Sequence, residues 1–212
     1  MRKPDYITSD VHLGAIPEAR ERSFVRFLAH AGDEASRLLI PGDLFDFWFE
    51  YGEVIPGRHF RVLAALRDVV DAGVPVAVLG GNHDAWGGRF LEEHVGVSFH
   101  PGQVRTEIAG LPALLAHGDG LGRGDLKYRA LKAMLRGRLT IAAFRALHPE
   151  LGMRIAQRVS STVLPCAERT PYRLSLLRVA PGRAQPRPGR SELVVAHWGV
   201  ERGCRQDGVG DP

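Results

Sequence analysis

Four short stretches of this chain set carboxylate, imidazole and carboxamide side chains beside glycine: Asp10-Val11-His12, Gly42-Asp43, Gly80-Gly81-Asn82-His83-Asp84 and His117-Gly118-Asp119. Their donors are oxygen and nitrogen without thiolate, which suits hard or borderline divalent cations, manganese first, with iron, zinc or magnesium as alternatives. In an extended segment residues two apart point the same way, so Asp10 and His12 can hold one cation. Asp43 follows a glycine that lets the backbone approach a crowded centre, and its two oxygens can bridge a pair of cations, which an imidazole cannot. Asn82 adds a neutral carbonyl oxygen and His117 an imidazole for the second cation. His83 beside Asp84 reads as an imidazole whose protonation a carboxylate tunes, as a general acid requires. Asp119 would orient His117 or a neighbouring loop. Asp46 suits either ordinary capping or support behind the ligands. Two cations about 3.5–4 Å apart would activate a bridging water for in-line attack on phosphorus and neutralise the charge that spreads over the phosphoryl oxygens.

Singly, these motifs carry little. Asp-x-His is commonly a surface turn, and Gly-Asp caps many turns. The weight lies in the Gly-Gly-Asn-His-Asp run and in the recurrence, since each motif follows a short apolar segment. His30, His59, His94, His100 and His148 stand in no such setting and read as ordinary helix or loop residues.

Those apolar segments are strand candidates. Tyr6-Ile7-Thr8 reads as a strand, Pro17 opens an amphipathic helix to about Ala31, and Arg37–Ile40 is a second strand stopped by Pro41-Gly42. A helix over about 57–71 ends at Gly73. Val74–Leu79 is nearly all apolar, as a strand covered on both faces should be. Helical signal returns over about 89–94, and 97–99, 104–108 and 113–116 suit further strands, with Gly110 as a turn. The pattern is α/β, and the motifs fall at strand ends, the rim where open α/β sheets bind ligands.

The chain has 212 residues, 44% of them hydrophobic, enough for one domain with a substantial core. Cys166 and Cys204 form no Cys-x-x-Cys pair, and no N-terminal secretory pattern precedes them, which points to a reducing cytosol. No apolar run reaches the roughly eighteen residues of a membrane span. Residues 121–190 hold 15 of the 28 Lys and Arg but 3 of the 24 Asp and Glu. That positive segment begins beside a ligand motif and so suits an anionic substrate or membrane headgroup. It lacks interleaved aromatics for base stacking, so no nucleic-acid partner is expected, although nuclease chemistry with the same metals stays open.

Together the motifs resemble the calcineurin-like metallophosphoesterases, whose pattern is Asp-x-His, Gly-Asp, Gly-Asn-His-Asp, His-Gly-Asp and a last Gly-x-His. Within that superfamily, Ser9–Gly14, Gly42–Trp48 and His117–Leu121, with Tyr128, Leu131, Lys132 and Leu135-Arg136, are similar to the UDP-2,3-diacylglucosamine hydrolase branch of lipid A synthesis. The resemblance implies a layered β-sheet sandwich flanked by helices, two divalent metals, and metal ligands Asp10, His12, Asp43, Asn82, His117 and a late-strand histidine. His197 in Leu193–Gly199 fits the first His of the family's closing Gly-His-x-His, while Gly199 stands at the second. His197 reads equally as a ligand and as a buried strand-end residue. The best-known members of the lipid branch carry Arg where this chain has His83.

The expected organisation is a core over 1–120, a helical cap insertion over 121–163 and an atypical C-terminal segment over 164–212, rich in Arg, Pro and Gly, that partly completes the core. Leu126, Tyr128, Leu131, Met134, Leu135, Leu139, Ile141, Phe144 and Leu147 would form apolar helical faces in the cap. Arg123, Lys127, Tyr128, Lys132, Arg154 and Arg158 are candidate phosphate contacts, together with Asn82 and His83. The implied activity is hydrolysis of UDP-2,3-diacylglucosamine to UMP and the 1-phosphate lipid, in the cytoplasm and peripherally on the inner membrane face. The alternatives are a phosphoesterase acting on a nucleotide or simple phosphoester, and a catalytically impaired relative with a binding role.

Overall fold

A computed structural model describes residues 3–52, 54–108, 111–117, 134–163, 175–179 and 193–196. Gly110, Asp119, Arg123, Lys127, Tyr128, Lys132, His197 and Gly199 lie outside the described residues, as do the expected helical face before residue 134 and most of the C-terminal segment.

Four parallel strands, β1 (Asp5–Ser9), β2 (Arg37–Pro41), β3 (Val76–Leu79) and β4 (Ser98–His100), form the first sheet. Its order is β4-β3-β2-β1-β7, with β7 (Ser175–Val179) antiparallel to β1. Successive side chains point to opposite faces of a strand, and here both faces are covered. Tyr6, Leu38, Ile40, Val76 and Val78 meet Phe24 and Leu28 of α1 (Glu18–Glu34) and Val62, Leu66 and Val69 of α2 (Phe60–Asp71). Ile7, Leu39, Ala77 and Leu79 meet Ile108, Ala113 and Leu115 of a second sheet. That sheet comprises β5 (Val104–Ile108), β6 (Leu111–Ala116) and β8 (Leu193–Ala196), with β6 antiparallel to β5 and parallel to β8. The protein is thus a layered α/β sandwich, helices on sheet on sheet, and each fully buried Leu, Ile or Val contributes about 1.5–3 kcal/mol.

The helices start and stop where local chemistry dictates. Pro17 precedes α1 with φ −59, and Glu18 and Glu21 place negative charge in its first turn, where the dipole favours it. The helix runs three residues past the expected end at Ala31. A 3-10 turn over Gly57–His59 leads into α2, and Gly73 stops it in the left-handed conformation at φ +83. The helical signal near residue 90 is a π-helical turn, Leu91–Val95, closed by Gly96 at φ +83.

Two helices follow residue 134, α3 (Arg138–Arg145) and α4 (Pro149–Val163). Ile141, Phe144, Met153 and Ala156 pack on Phe47, Phe49, Tyr51 and Trp86 from the loops after β2 and β3. Met134 and Leu139, expected on the apolar face, are instead exposed, Leu139 at 87%. Leu151 and Ile155 of α4 are exposed as well. No helix among the described residues is long and apolar enough to cross a membrane.

Candidate metal centre

The loops after β1, β2, β3 and β6 converge at one rim. Backbone hydrogen bonds run the first two side by side: Asp10 N–H donates to Gly42 O (3.2 Å), His12 N–H to Asp43 O (3.0 Å) and Leu13 N–H to Leu44 O (3.0 Å). Asp10 and His12 do converge, with His12 Nε2 3.9 Å from Asp10 Oδ1. They do so differently from the pleat alternation expected of them. β1 ends at Ser9, and Asp10, His12 and Asp43 all adopt left-handed backbone, at φ 52, 50 and 51. Each such non-glycine residue costs on the order of 1–3 kcal/mol and persists only where its surroundings over-determine it.

Asp43 sits at the middle of the cluster. Its Oδ2 lies 3.8 Å from His12 Nε2 and 3.2 Å from His117 Nε2, and His117 Nε2 is 2.9 Å from Asn82 Oδ1. Asp43 and His117 are buried, while Asp10 and His12 are slightly open. Glycine is required beside them on space alone. At Gly42, itself at φ +101, a Cβ would run into the His117 ring, and at Gly81 a Cβ would run into the Asp43 carboxylate.

Electrostatics follow from this packing. Burial pushes the Asp43 carboxyl up, but the hydrogen bond from His117 and the nearby charges of His117, His83 and His12 outweigh it and hold the group at about 2. Burial lowers His12, against the pull of Asp43. Burial and the neighbouring Asp43 carboxylate raise Asp84 to about 6, against the backbone N–H groups of Gly81 and Phe45.

Asp84 is not the partner of His83. Its Oδ1 accepts from Gly81 N–H (2.8 Å), and its Oδ2 accepts from Leu44 N–H (2.7 Å) and Phe45 N–H (3.2 Å), so it braces the β3 loop against the β2 loop. Residues adjacent in sequence leave a turn in different directions, which is why the neighbourhood of His83 and Asp84 misled. His83 Nδ1 instead donates to Asp46 O at 2.8 Å and lies 3.9 Å from Asp46 Oδ1. The His83 ring stands edge-to-face against His12, with centroids 5.1 Å apart.

Two overlapping sets of ligand atoms lie within 4.8 Å of one another: Asp10, His12 and Asp43, and His12, Asp46 and His83. Oxygen and imidazole donors around a space kept clear by Gly42 and Gly81 fit a hard or borderline divalent cation. Asp46, undecided from sequence, therefore faces the cluster. Its signal was the spacing of three from Asp43. Arg154 and Arg158 are exposed on α4. His59, set aside in the sequence, is 1% exposed and packed against the stacked rings of Phe45 and Trp48.

Two residues take roles that sequence reasoning did not assign. Glu50 is a buried carboxylate that accepts from Trp48 Nε1 (3.2 Å), Gly88 N–H (2.9 Å) and Phe90 N–H (3.0 Å), a second brace between the same two loops. Arg136 donates to the carbonyl of Gly81 (2.8 Å), one residue before Asn82.

The family model for calcineurin-like phosphoesterases matches residues 6–139, which carry all the clustered residues. The chain belongs to this family. This calcineurin-like phosphoesterase is also similar to proteins named UDP-2,3-diacylglucosamine hydrolase. The one from Porphyromonas gingivalis is 33% identical over 165 residues, 76% of this chain and 63% of that protein. Those from Edwardsiella ictaluri and Escherichia coli O7:K1 are each 34% identical, over 70% and 71% of this chain and 57% and 62% of their own lengths. The chain thus spans about six-tenths of the curated relatives it matches. By class, a calcineurin-like phosphoesterase is a hydrolase that uses divalent metal, and the clustered donors supply residues able to hold it.

Proposed function

We propose that this phosphoesterase hydrolyses the pyrophosphate of UDP-2,3-diacylglucosamine to UMP and 2,3-diacylglucosamine 1-phosphate, using two divalent cations, Mn2+ by preference. The observation that carries the two-cation reading is the placement of Asp43 Oδ2 between His12 and His117. The substrate is suggested by the names of the relatives. Asp10, His12 and Asp43 would hold one cation, and Asp43, Asn82 and His117, with His197, the other. When bound, such cations neutralise phosphoryl charge and lower the pKa of water to near neutrality.

The chain's own groups do the rest. The left-handed backbone at Asp10, His12 and Asp43 presents their side chains to one space. A carbonyl can only accept, so the contact with Asp46 O keeps a proton on His83 Nδ1, and in the imidazolium form Nε2 would carry the second proton, there to balance phosphoryl charge or pass to the leaving phosphate oxygen. Asp84 acts at one remove, by keeping the loop that carries Asn82 and His83 against the loop that carries Asp43.

The helix pair serves in this reading as the cap over a lipid substrate. Exposed Leu139, Leu151 and Ile155 beside Arg138, Arg145, Arg154 and Arg158 make a basic amphipathic surface. Such a surface suits an acylated anion and the anionic inner face of the cytoplasmic membrane. Arg123, Lys127, Tyr128 and Lys132 would add phosphate contacts.

The test is to incubate Mn2+-loaded protein with UDP-2,3-diacylglucosamine and, separately, with bis-p-nitrophenyl phosphate, following products by 31P NMR. Release of UMP and the 1-phosphate lipid is expected. Turnover of the chromogenic diester alone would remove the lipid substrate and leave a general phosphoesterase. Turnover of neither would favour a binding role.

A further inference from the structure

Residues 135 and 136 touch the loops after β3 and β4 just before α3 begins. Arg136 Nη2 donates to Gly81 O (2.8 Å), Arg136 Nη1 donates to Pro101 O (3.3 Å), and Trp86 Nε1 donates to Leu135 O (3.1 Å). All three contacts join residues far apart in sequence, the first across 55 positions.

Gly81 is the point where these contacts meet the centre. Its N–H is held by Asp84 Oδ1, and its Cα abuts the Asp43 carboxylate so closely that no Cβ would fit. Its carbonyl lies in the Gly81–Asn82 peptide plane, and Arg136 grips it. That plane sets the direction in which Asn82 leaves the backbone, and Asn82 Oδ1 is the atom that meets His117 Nε2 at 2.9 Å. A guanidinium is needed because its planar fork can satisfy the Gly81 and Pro101 carbonyls at once, whereas an ammonium is a single point.

We propose that Arg136 is a positioning residue for the metal centre: by holding the Gly81 carbonyl it fixes Asn82 as a ligand and ties the start of the helix pair to the cation site. The inference rests on the two-cation reading above, with Asn82 serving the cation shared with His117. It predicts coupling between a segment that belongs to the helix pair and metal affinity, with no direct contact between Arg136 and a cation.

The experiment compares the full chain with R136A and R136K. It uses Mn2+ titration calorimetry, amide hydrogen exchange of residues 81–84 in metal-free protein, and kcat and KM on bis-p-nitrophenyl phosphate. Loss of a group that orients a metal ligand costs about 10–100-fold in metal affinity. Both variants should therefore weaken one of two Mn2+ sites by that factor, speed exchange at 81–84, and lower kcat with KM nearly unchanged, the deficit shrinking as Mn2+ is raised. Lys should not rescue, because the charge is kept but the fork is lost. Wild-type Mn2+ affinity and exchange in both variants would overturn the proposal. So would rescue by Lys with only KM raised in R136A, since Arg136 would then be a charge that attracts substrate. If R136A does not fold, R136K carries the test, as it retains the charge and the aliphatic stem. Failure of the wild-type protein to bind two Mn2+ would remove the two-cation reading itself. The exchange rates at 81–84 would still decide whether Arg136 orders that loop, and unchanged rates would end the proposal.

Discussion

Acidifying the metal-free protein from about pH 7.5 to about pH 5 should cost it about 2 kcal/mol of stability through His59 alone. His59 is 1% exposed, its ring centroid lies 4.8 Å from that of Phe45, and its Nε2 accepts from Arg58 Nε at 3.2 Å. Burial, and then the Arg58 charge, hold its imidazole at about 3 in place of the ordinary 6.5. The unfolded chain therefore takes up a proton at this residue near pH 6.5, while the folded chain resists until near pH 3. Between those values the unfolded state binds more protons, so stability is complete above the upper one and falls as pH drops toward the lower. The slope approaches about 1.4 kcal/mol per pH unit, and integrating it down to about pH 5 gives the figure above. Urea denaturation in EDTA of the wild type and of His59→Leu at both pH values reads this directly. Leu has a similar volume and cannot protonate, so taking the difference of the two pH effects cancels His12 and the carboxylates. The wild type should lose about 2 kcal/mol more than the variant. Equal losses in the two proteins would show that His59 protonates freely in the folded state, and the argument from burial would fail.

Asp84→Ala leaves the backbone N–H groups of Leu44, Phe45 and Gly81 without their acceptor. At about 1–3 kcal/mol for each buried unsatisfied group, denaturant unfolding should register at least about 3 kcal/mol of lost stability, and Asp84→Asn, which keeps one oxygen, distinctly less. Stability equal to wild type in both variants would contradict the role of Asp84 as a brace. Asp43→Asn removes the charge at the centre of the cluster while keeping its size. Elemental analysis should then find both cations lost, with turnover down by at least about 100-fold, more than a group acting only on a ligand would cost. EDTA treatment of the wild type should likewise abolish turnover, and Mn2+ should restore it.

The strands were legible because β2 and β3 are covered on both faces, so Leu38-Leu39-Ile40 and Val76–Leu79 read as apolar runs whose alternate residues serve two different cores. The loops of the site were legible because each ligand motif directly follows such a run, and Asp10, His12, Asp43, Asn82, His83 and His117 do come together. What sequence adjacency could not give was direction. It joined Asp84 to His83, where the fold joins Asp84 to the backbone of another loop and gives His83 to Asp46. It read Asp10 and His12 as pleated strand, where left-handed turns aim them. The roles of Glu50 and Arg136 left no signal because, apart from Trp48 Nε1, their partners are backbone groups of residues 35 to 55 positions away, and such partners leave no trace in residue type.

His117 reaches the cluster from β6 of the second sheet, whereas Asp10, Asp43 and Asn82 hang from the first. Between those sheets lies a thin apolar seam of Ile7, Leu39 and Leu79 against Ile108, Ala113 and Leu115. Ions bound at the rim would therefore staple the two layers together, and loading would stabilise the docked sandwich by mass action in addition to enabling chemistry. By the same linkage, any change that loosens the seam, such as a smaller side chain at Leu39, would be felt as weaker metal retention without touching a single ligand.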